Sequence, residues 1–377
     1  MKKLALIFFL LTILISAQSK VSVTFRVTAS SVADSEGVFI VGSIPEFGNW
    51  NASKAPLDKV SKNIWQKTFQ LDKNTLALYK FTKGNWLFEA LTDSSTIPSN
   101  SILKVNADTT INVVINKWRD GSNFKIIGQI TGKVEYVKNF EIEGLKPRNL
   151  IIWFPPGYKK NADKRYPVIY MQDGQNLFDP KTSTGFVDWR ADETADSLIR
   201  RGKIKPVIIV GIYNTEDRSA EYTDTPKGHL YMKGIVEKIK PFIDSKYRTL
   251  TGRNNTAVAG SSLGGLISMM CAWEYPEVFS KAACFSPAFK IDTIDYVKNV
   301  LNYTWPKKNL MFYIDNGGID LDARLLPGVD AMVTALKQKG YKENKDFYVY
   351  IDKAATHNEA AWAKRFWRPL KLFFGAK

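Results

Sequence analysis

Residues 255–273 read NTAVAGSSLGGLISMMCAW, and the way this run divides decides the fold. Asn255 to Ala259 is short and strand-like; Leu263 to Trp273 has the length and apolar content of a buried helix. Between them stand Gly260-Ser261-Ser262-Leu263-Gly264. A serine on a sharp strand-to-helix turn takes an uncomfortable backbone conformation, and its neighbours two residues away come within backbone contact. Glycine on both flanks removes the side chains that would collide there. Centring the pattern on Ser261 would put Ala259 and Leu263 at the flanks, and Leu263 is too large. The spacing therefore selects Ser262 as the nucleophile.

Reading outward, further apolar runs alternate with helical segments. They are Leu150 to Phe154, Val168 to Met171, Val207 to Ile212, Ala282 to Phe285, Met311 to Ile314 and Phe347 to Ile351. ADETADSLIRRG, YMKGIVEKIKPFIDSKY and DAMVTALKQKG lie between later runs and carry helical periodicity. The pattern predicts an α/β fold, a mostly parallel sheet with helices on both faces. Active groups in such sheets lie beyond the carboxyl ends of the strands.

Residues 21–116 have another texture. Short alternating runs (VSVTFRV, GVFIVG, IWQKTFQL, ALYKFTKG, TTINVVIN) are separated by turn-rich pieces. This predicts a small all-β sandwich. The expected organisation is a leader over 1–17, the β domain over 18–119, a linker and entry strand over 120–131, and the α/β domain over 132–377. The leader is read from Lys2 and Lys3, the apolar run Leu4 to Ile15, and the exit Ser16-Ala17. That run is too short to cross a bilayer and has the layout of a secretory signal, so the mature chain is expected to be exported.

The 377 residues carry a formal charge of +16, with 45% hydrophobic and 24% charged residues. The lysines are spread along the chain and no nucleic-acid motif accompanies them, so a basic soluble surface is expected, without nucleic acid or membrane insertion. Cys271 and Cys284 are the only cysteines. Both fall on buried elements, which favours free thiols. With two histidines in the chain, no metal site and no cofactor is expected.

A serine hydroxyl needs a base. On this fold the base and its acid follow the serine in the order Ser, Asp or Glu, His. His229 precedes Ser262; His357 follows it, after the strand over 347–351, and takes the role. The acid is expected in Asp315-Asn316-Gly317-Gly318-Ile319-Asp320-Leu321-Asp322. Asp315 sits at the strand end, where it can brace the turn. Asp322 reads as a helix cap. Asp320 lies beyond the glycine pair, where the chain can fold back, and is favoured, although spacing leaves all three open. The backbone N–H of Leu263 and that of Gln175, in the loop Gln172-Asp173-Gly174-Gln175-Asn176, are the expected oxyanion donors.

At these residues the chain resembles the esterase family of α/β-hydrolases. That family includes feruloyl and acetylxylan esterases (carbohydrate esterase family 1), enterochelin esterases and the mycolyltransferases. The resemblance rests on YPVIYMQDGQNLFD, DWRADETADSLI, VIIVGIYN followed by DRSAEYT, PFIDSKYRT, AVAGSSLGGLISM, FSPAF and THNEAAW. It implies Ser262 as nucleophile, His357 as base, Asp320 as acid, and the amides of Gln175 and Leu263 as the oxyanion hole. Many relatives have glutamate at the acid position. VGSIPEFGNWN, IWQKTF and LYKFTKGNW resemble a starch-binding-type (family 20 or 48) carbohydrate-binding module, with Trp50 and Trp86 at its stacking positions and Trp65 in the core.

The function expected from these readings is a secreted serine carboxylesterase. It removes acetyl or feruloyl groups from an acylated polysaccharide or oligosaccharide through an acyl-enzyme. A siderophore trilactone esterase and a non-catalytic carbohydrate-binding protein are the alternatives. Phe178, Trp189 and Trp362 are candidates to line an acyl slot, with core packing the default for each.

Overall fold

Eight strands pair into one sheet, which we label β1 (Lys133–Phe140), β2 (Arg148–Phe154), β3 (Val168–Gln172), β4 (Ile208–Ile212), β5 (Thr256–Ser261), β6 (Lys281–Phe285), β7 (Met311–Gly317) and β8 (Phe347–Asp352). The computed structural model describes residues 19–119 and 127–376, except 34, 96, 97, 99, 161 and 162. The expected leader and residues 120–126 of the expected linker lie outside the described residues. The chain divides into two compact units, Met1–Asn123 and Phe124–Lys377.

The strand order in the second unit is β1-β2-β4-β3-β5-β6-β7-β8. β1 and β2 are antiparallel, as are β2 and β4; every later neighbour is parallel. β3 (VIYMQ) and β4 (IIVGI) are buried along their whole length, as central strands covered on both faces must be. Val168 and Tyr170 pack into one core; Ile169 and Met171, pointing the other way, pack into a second. Each fully buried aliphatic side chain there stabilises the fold by about 2 kcal/mol.

Helices α1 (Ala191–Arg200), α2 (Leu263–Glu274), α3 (Leu321–Gln338) and α4 (Trp367–Phe374) flank the sheet. α2 is apolar nearly all round because it is enclosed; every residue from Gly264 to Trp273 is buried. Cys271 and Cys284 are free and buried, and burial pushes both thiols far up. β3 has β4 on one side and β5 on the other, so the connections leaving β3 and β5 diverge. That topological switch opens a crevice beyond the carboxyl ends of the strands.

The first unit stacks two four-stranded sheets. One orders the strands Asp58–Ser61, Ile64–Asp72, Lys20–Ala29 and Thr109–Ile115; the other orders Ala55–Pro56, Phe39–Gly42, Leu76–Thr82 and Ser101–Lys104. Val23, Phe25 and Val27 alternate into the core against Ile40, Tyr79 and Phe81. The rings of Phe47, Phe69, Tyr79 and Phe81 surround Phe25 edge-on at 5.0–6.2 Å. Trp65 is fully in this core.

Candidate active site

Ser262 joins β5 to α2 with φ 58° and ψ −123°, a conformation that costs a non-glycine residue about 1–3 kcal/mol. Its surroundings hold it there. The Ser262 N–H donates to Phe285 O at 2.9 Å, and its carbonyl accepts from the Ala288 N–H at 3.1 Å. A Cβ on Gly260 would stand 2.5 Å from Gly264 O; one on Gly264 would stand 3.2 Å from Gln172 Cβ and from Asp173 Oδ2. Ser262 is half-buried, whereas Ser261 is buried.

His357 follows β8, and its Nδ1 is 2.6 Å from Asp322 Oδ1. A carboxylate can only accept, so Nδ1 carries the proton and Nε2 is left as the basic atom. Asp322 is fully buried, and its other oxygen accepts from Gly317 N–H at 2.9 Å and Ser286 Oγ at 3.0 Å. Trp362 Nε1 donates to the same Ser286 hydroxyl at 3.1 Å, and its ring stands edge-on to His357 at 4.9 Å. The segment Phe285–Ala288 therefore grips Ser262 through its backbone and Asp322 through Ser286. Among the described residues no hydrogen bond joins Ser262 Oγ directly to His357. Such contacts are often long in the absence of substrate.

The carboxylate bonded to His357 is Asp322, two residues beyond the expected Asp320. A Cβ on Gly318 would lie 2.4 Å from Lys353 O and one on Gly317 2.4 Å from Ala355 O, so the glycine pair runs flush against the loop carrying His357. The chain then turns at Asp320, which is exposed at φ 58° and ψ −122°. Helix α3 starts one residue later, and its first turn points Asp322 inward. The amino end of α3 also favours the anion. Asp315 is the third contender. It is buried against Arg365 (2.9 and 3.2 Å) and the Tyr313 hydroxyl (2.9 Å), and burial pushes its carboxyl up to about 6.

The two expected oxyanion donors sit on different loops. Leu263 is the first residue of α2, and Gln175 lies in the single helical turn Gly174–Asn176 that follows β3. Amino-terminal N–H groups of helices have no acceptor within the helix. The turn is seated flush on β4, since a Cβ on Gly174 would stand 2.6 Å from Gly211 C.

The aromatic candidates divide. Trp189 and Trp362 are 2% and 5% exposed and tilt against each other at 5.5 Å, with Phe178 equally enclosed; all three pack within one core. In the first unit, Trp50 and Trp86 are half-buried and stacked, with ring centroids 6.4 Å apart at 29°. His229 is exposed and bonded to Asp224 at 2.9 Å.

Charged groups beyond the expected catalytic residues crowd this edge. Asp173 is bound by Arg218 and Asn214. Glu359 accepts from Asn176 Nδ2 at 3.2 Å and is pushed up to about 7, chiefly by burial. Asp188, Asp192 and Glu193 converge at the start of α1, close enough to hold a cation between them. Burial first, and then the neighbouring Glu193, push the Asp192 carboxyl well above the usual carboxylate range.

Comparison with known proteins adds three observations. Residues 145–373 match the family model described as "Putative esterase", and residues 20–109 match "Starch binding domain". The endo-1,4-beta-xylanase/feruloyl esterase of Xylanibacter ruminicola is 25% identical over 237 residues, which is 62% of this chain and 30% of that protein. Among solved structures, a ferulic acid esterase superposes with a TM-score of 0.53 at 20% identity, covering 64% of this chain and 98% of its own. Enterochelin esterase from Shigella flexneri superposes with a TM-score of 0.54 at 13% identity, covering 93% and 91%.

Proposed function

The chain belongs to the "Putative esterase" family and is a carboxylic ester hydrolase, and from that premise we propose a serine enzyme that removes acetyl or feruloyl groups from polysaccharides. The observation that carries this reading is the Asp322–His357 hydrogen bond, anchored through Ser286 to the segment that holds the Ser262 backbone. Ser262 Oγ attacks the ester carbonyl carbon while His357 Nε2 takes its proton. Asp322 keeps the ring in the productive tautomer and stabilises the imidazolium that forms. The N–H groups of Gln175 and Leu263 receive the carbonyl oxygen as it gains charge. His357 then protonates the leaving sugar oxygen, and water, deprotonated by the same nitrogen, releases the acid from Ser262.

Two observations support a polysaccharide substrate: the starch-binding match over residues 20–109 and the stacked Trp50–Trp86 pair, whose faces suit sugar rings. We read residues 1–17 as an export leader, which fits a polymer that cannot enter the cell. Ser262→Ala is expected to abolish release of acetate from acetylated xylan and of ferulate from methyl ferulate. Full turnover by the purified variant would refute the serine mechanism. Trp50→Ala is expected to lose retention in polysaccharide affinity gels with esterase turnover on a small ester intact.

A siderophore trilactone esterase is a second reading, favoured by one fact. The enterochelin esterase fold covers 93% of this chain, both units included, whereas the ferulic acid esterase covers 64%. Parallel kinetics on enterobactin, acetylated xylan and methyl ferulate separate the two.

A further inference from the structure

We propose that Arg218 is a positioning residue for the oxyanion hole, holding Asp173 so that the Gln175 and Leu263 N–H groups keep a fixed separation. The inference rests on the serine-esterase reading and adds to it the part that sets the geometry of the hole.

The problem it answers is mechanical. The two donors come from connections that diverge at the switch point, one after β3 and one after β5, and neither loop alone can fix the gap between them. Asp173 stands where they meet. It is the last residue before the Gly174–Asn176 turn, and its backbone is left-handed at φ 56° and ψ 48°. Its carboxylate makes no capping bond to that turn. Instead it accepts from Arg218 Nε at 2.7 Å and Arg218 Nη2 at 2.8 Å, one on each oxygen, and from Asn214 Nδ2 at 2.6 Å. Its N–H donates to the Tyr222 hydroxyl at 3.2 Å, and the Arg218 guanidinium lies 5.0 Å from the Tyr222 ring centre.

The same carboxylate also lies against the elbow. Asp173 Oδ2 lies 3.2 Å from where a Cβ on Gly264 would be, directly after Leu263. Asp173 thus carries the Arg218 guanidinium on its carboxylate and stands beside the first turn of α2. Below it, Gly174 rests on Gly211 of β4, which fixes the height of the turn and leaves lateral placement to the Arg218 pair. Asp173 is buried, and Arg218 keeps part of its side chain exposed. A bidentate fork in so dry a place resists sliding in a way a point charge does not. The Gly174–Asn176 turn also reaches towards the base, since its Asn176 bonds Glu359, two residues beyond His357.

The test uses the full chain and a chromogenic acetate ester, with kcat referred to active sites titrated by a fluorophosphonate. Arg218→Gln is expected to lower kcat on the order of 10²-fold, as misplacement by about 1 Å does, with KM within about threefold. Binding of an alkyl boronic acid, whose tetrahedral adduct fills the oxyanion hole, is expected to weaken in parallel. Arg218→Lys should recover part of kcat, and Arg218→Gln added to Asp173→Asn should cost little more than either alone. Asn214→Ala provides a milder disturbance if Arg218→Gln folds poorly. If Ser262→Ala is inactive while Arg218→Gln and Asn214→Ala retain wild-type kcat per titrated site and wild-type boronate affinity, Arg218 has no positioning role and the serine mechanism stands. If Ser262→Ala is itself active, the underlying reading has failed.

Discussion

Two turns in this protein share one backbone conformation and use it in opposite ways. Ser262 joins β5 to α2 at φ 58°, ψ −123°; Asp320 joins β7 to α3 at φ 58°, ψ −122°. Both are non-glycine residues in a region that favours glycine, and both immediately precede a helix. At the first turn the strained residue is itself the proposed nucleophile, and it stays half-buried. At the second the strained residue is exposed, and the carboxylate that meets His357 comes two positions later, from inside the helix. Strain marks where the chain must reverse sharply, and the reactive group stands wherever the reversal aims it. For a nucleophile that must be open to substrate, the apex serves. For an acid that must be dry and hydrogen-bonded, the first helical turn serves better.

Substitutions at the two turns put this contrast to the test. Asp322→Asn is expected to lower kcat by about 10⁴-fold with little change in KM, because the amide disfavours the tautomer that leaves Nε2 basic. Steady-state kinetics on an acetate ester check it, and a loss below tenfold would remove Asp322 from its role. Gly260→Ala is expected to destabilise the fold by about 2–3 kcal/mol in urea denaturation, since the new methyl group lies 2.5 Å from Gly264 O. Asp320→Gly is expected to leave kcat within about threefold and to raise stability by about 1 kcal/mol, as relief of the positive φ outweighs the added freedom of the unfolded chain. If Asp320→Gly instead lost activity as Asp322→Asn does, the contrast between the turns would collapse.

The mildest test concerns the other carboxylate beside His357. Glu359 is pushed up to about 7 from 4.5, so the folded state holds its proton more tightly than the unfolded chain. Its contribution to stability is complete below about pH 4.5 and is lost as pH rises through about 7. Glu359→Gln is expected to gain in melting temperature relative to the parent between those limits, with the difference level above about pH 8. A parallel pair of melting curves across pH 4–9 would contradict this.

Much of the architecture was legible in the residues. Central strands such as 168–172 and 208–212 are written as unbroken apolar runs because both faces are covered, and the sandwich strand 20–29 alternates because one face is not. The elbow was equally legible, since its glycines answer a local collision between residues four apart. The acid was not. Asp320 and Asp322 differ by two positions, and which one faces His357 depends on where α3 begins and on how the glycine pair lies against residues 353–355. The places of Trp189 and Trp362 were likewise open, because an aromatic side chain that lines a slot and one that packs in the core look alike in a sequence. The loop from Asn214 to Thr225 is polar, and its residues alone suit a pocket-shaping loop and a surface loop equally well. Its Arg218 gains meaning only from a partner 45 residues earlier in the chain.

What the chain determined by itself is what local sterics and periodicity can encode: two units, the order of strand and helix, a reversal at Ser262, and a late histidine available as a base. What only tertiary packing decided is the set of partners that convert those pieces into a site. Asp322 on His357, Ser286 on Asp322, and Arg218 against Asp173 are contacts between residues 35–45 positions apart, on different connections of one sheet edge. Hydrogen bonds act over about 3 Å and carry no signature in sequence spacing. They exist only after the sheet has brought its carboxyl ends together.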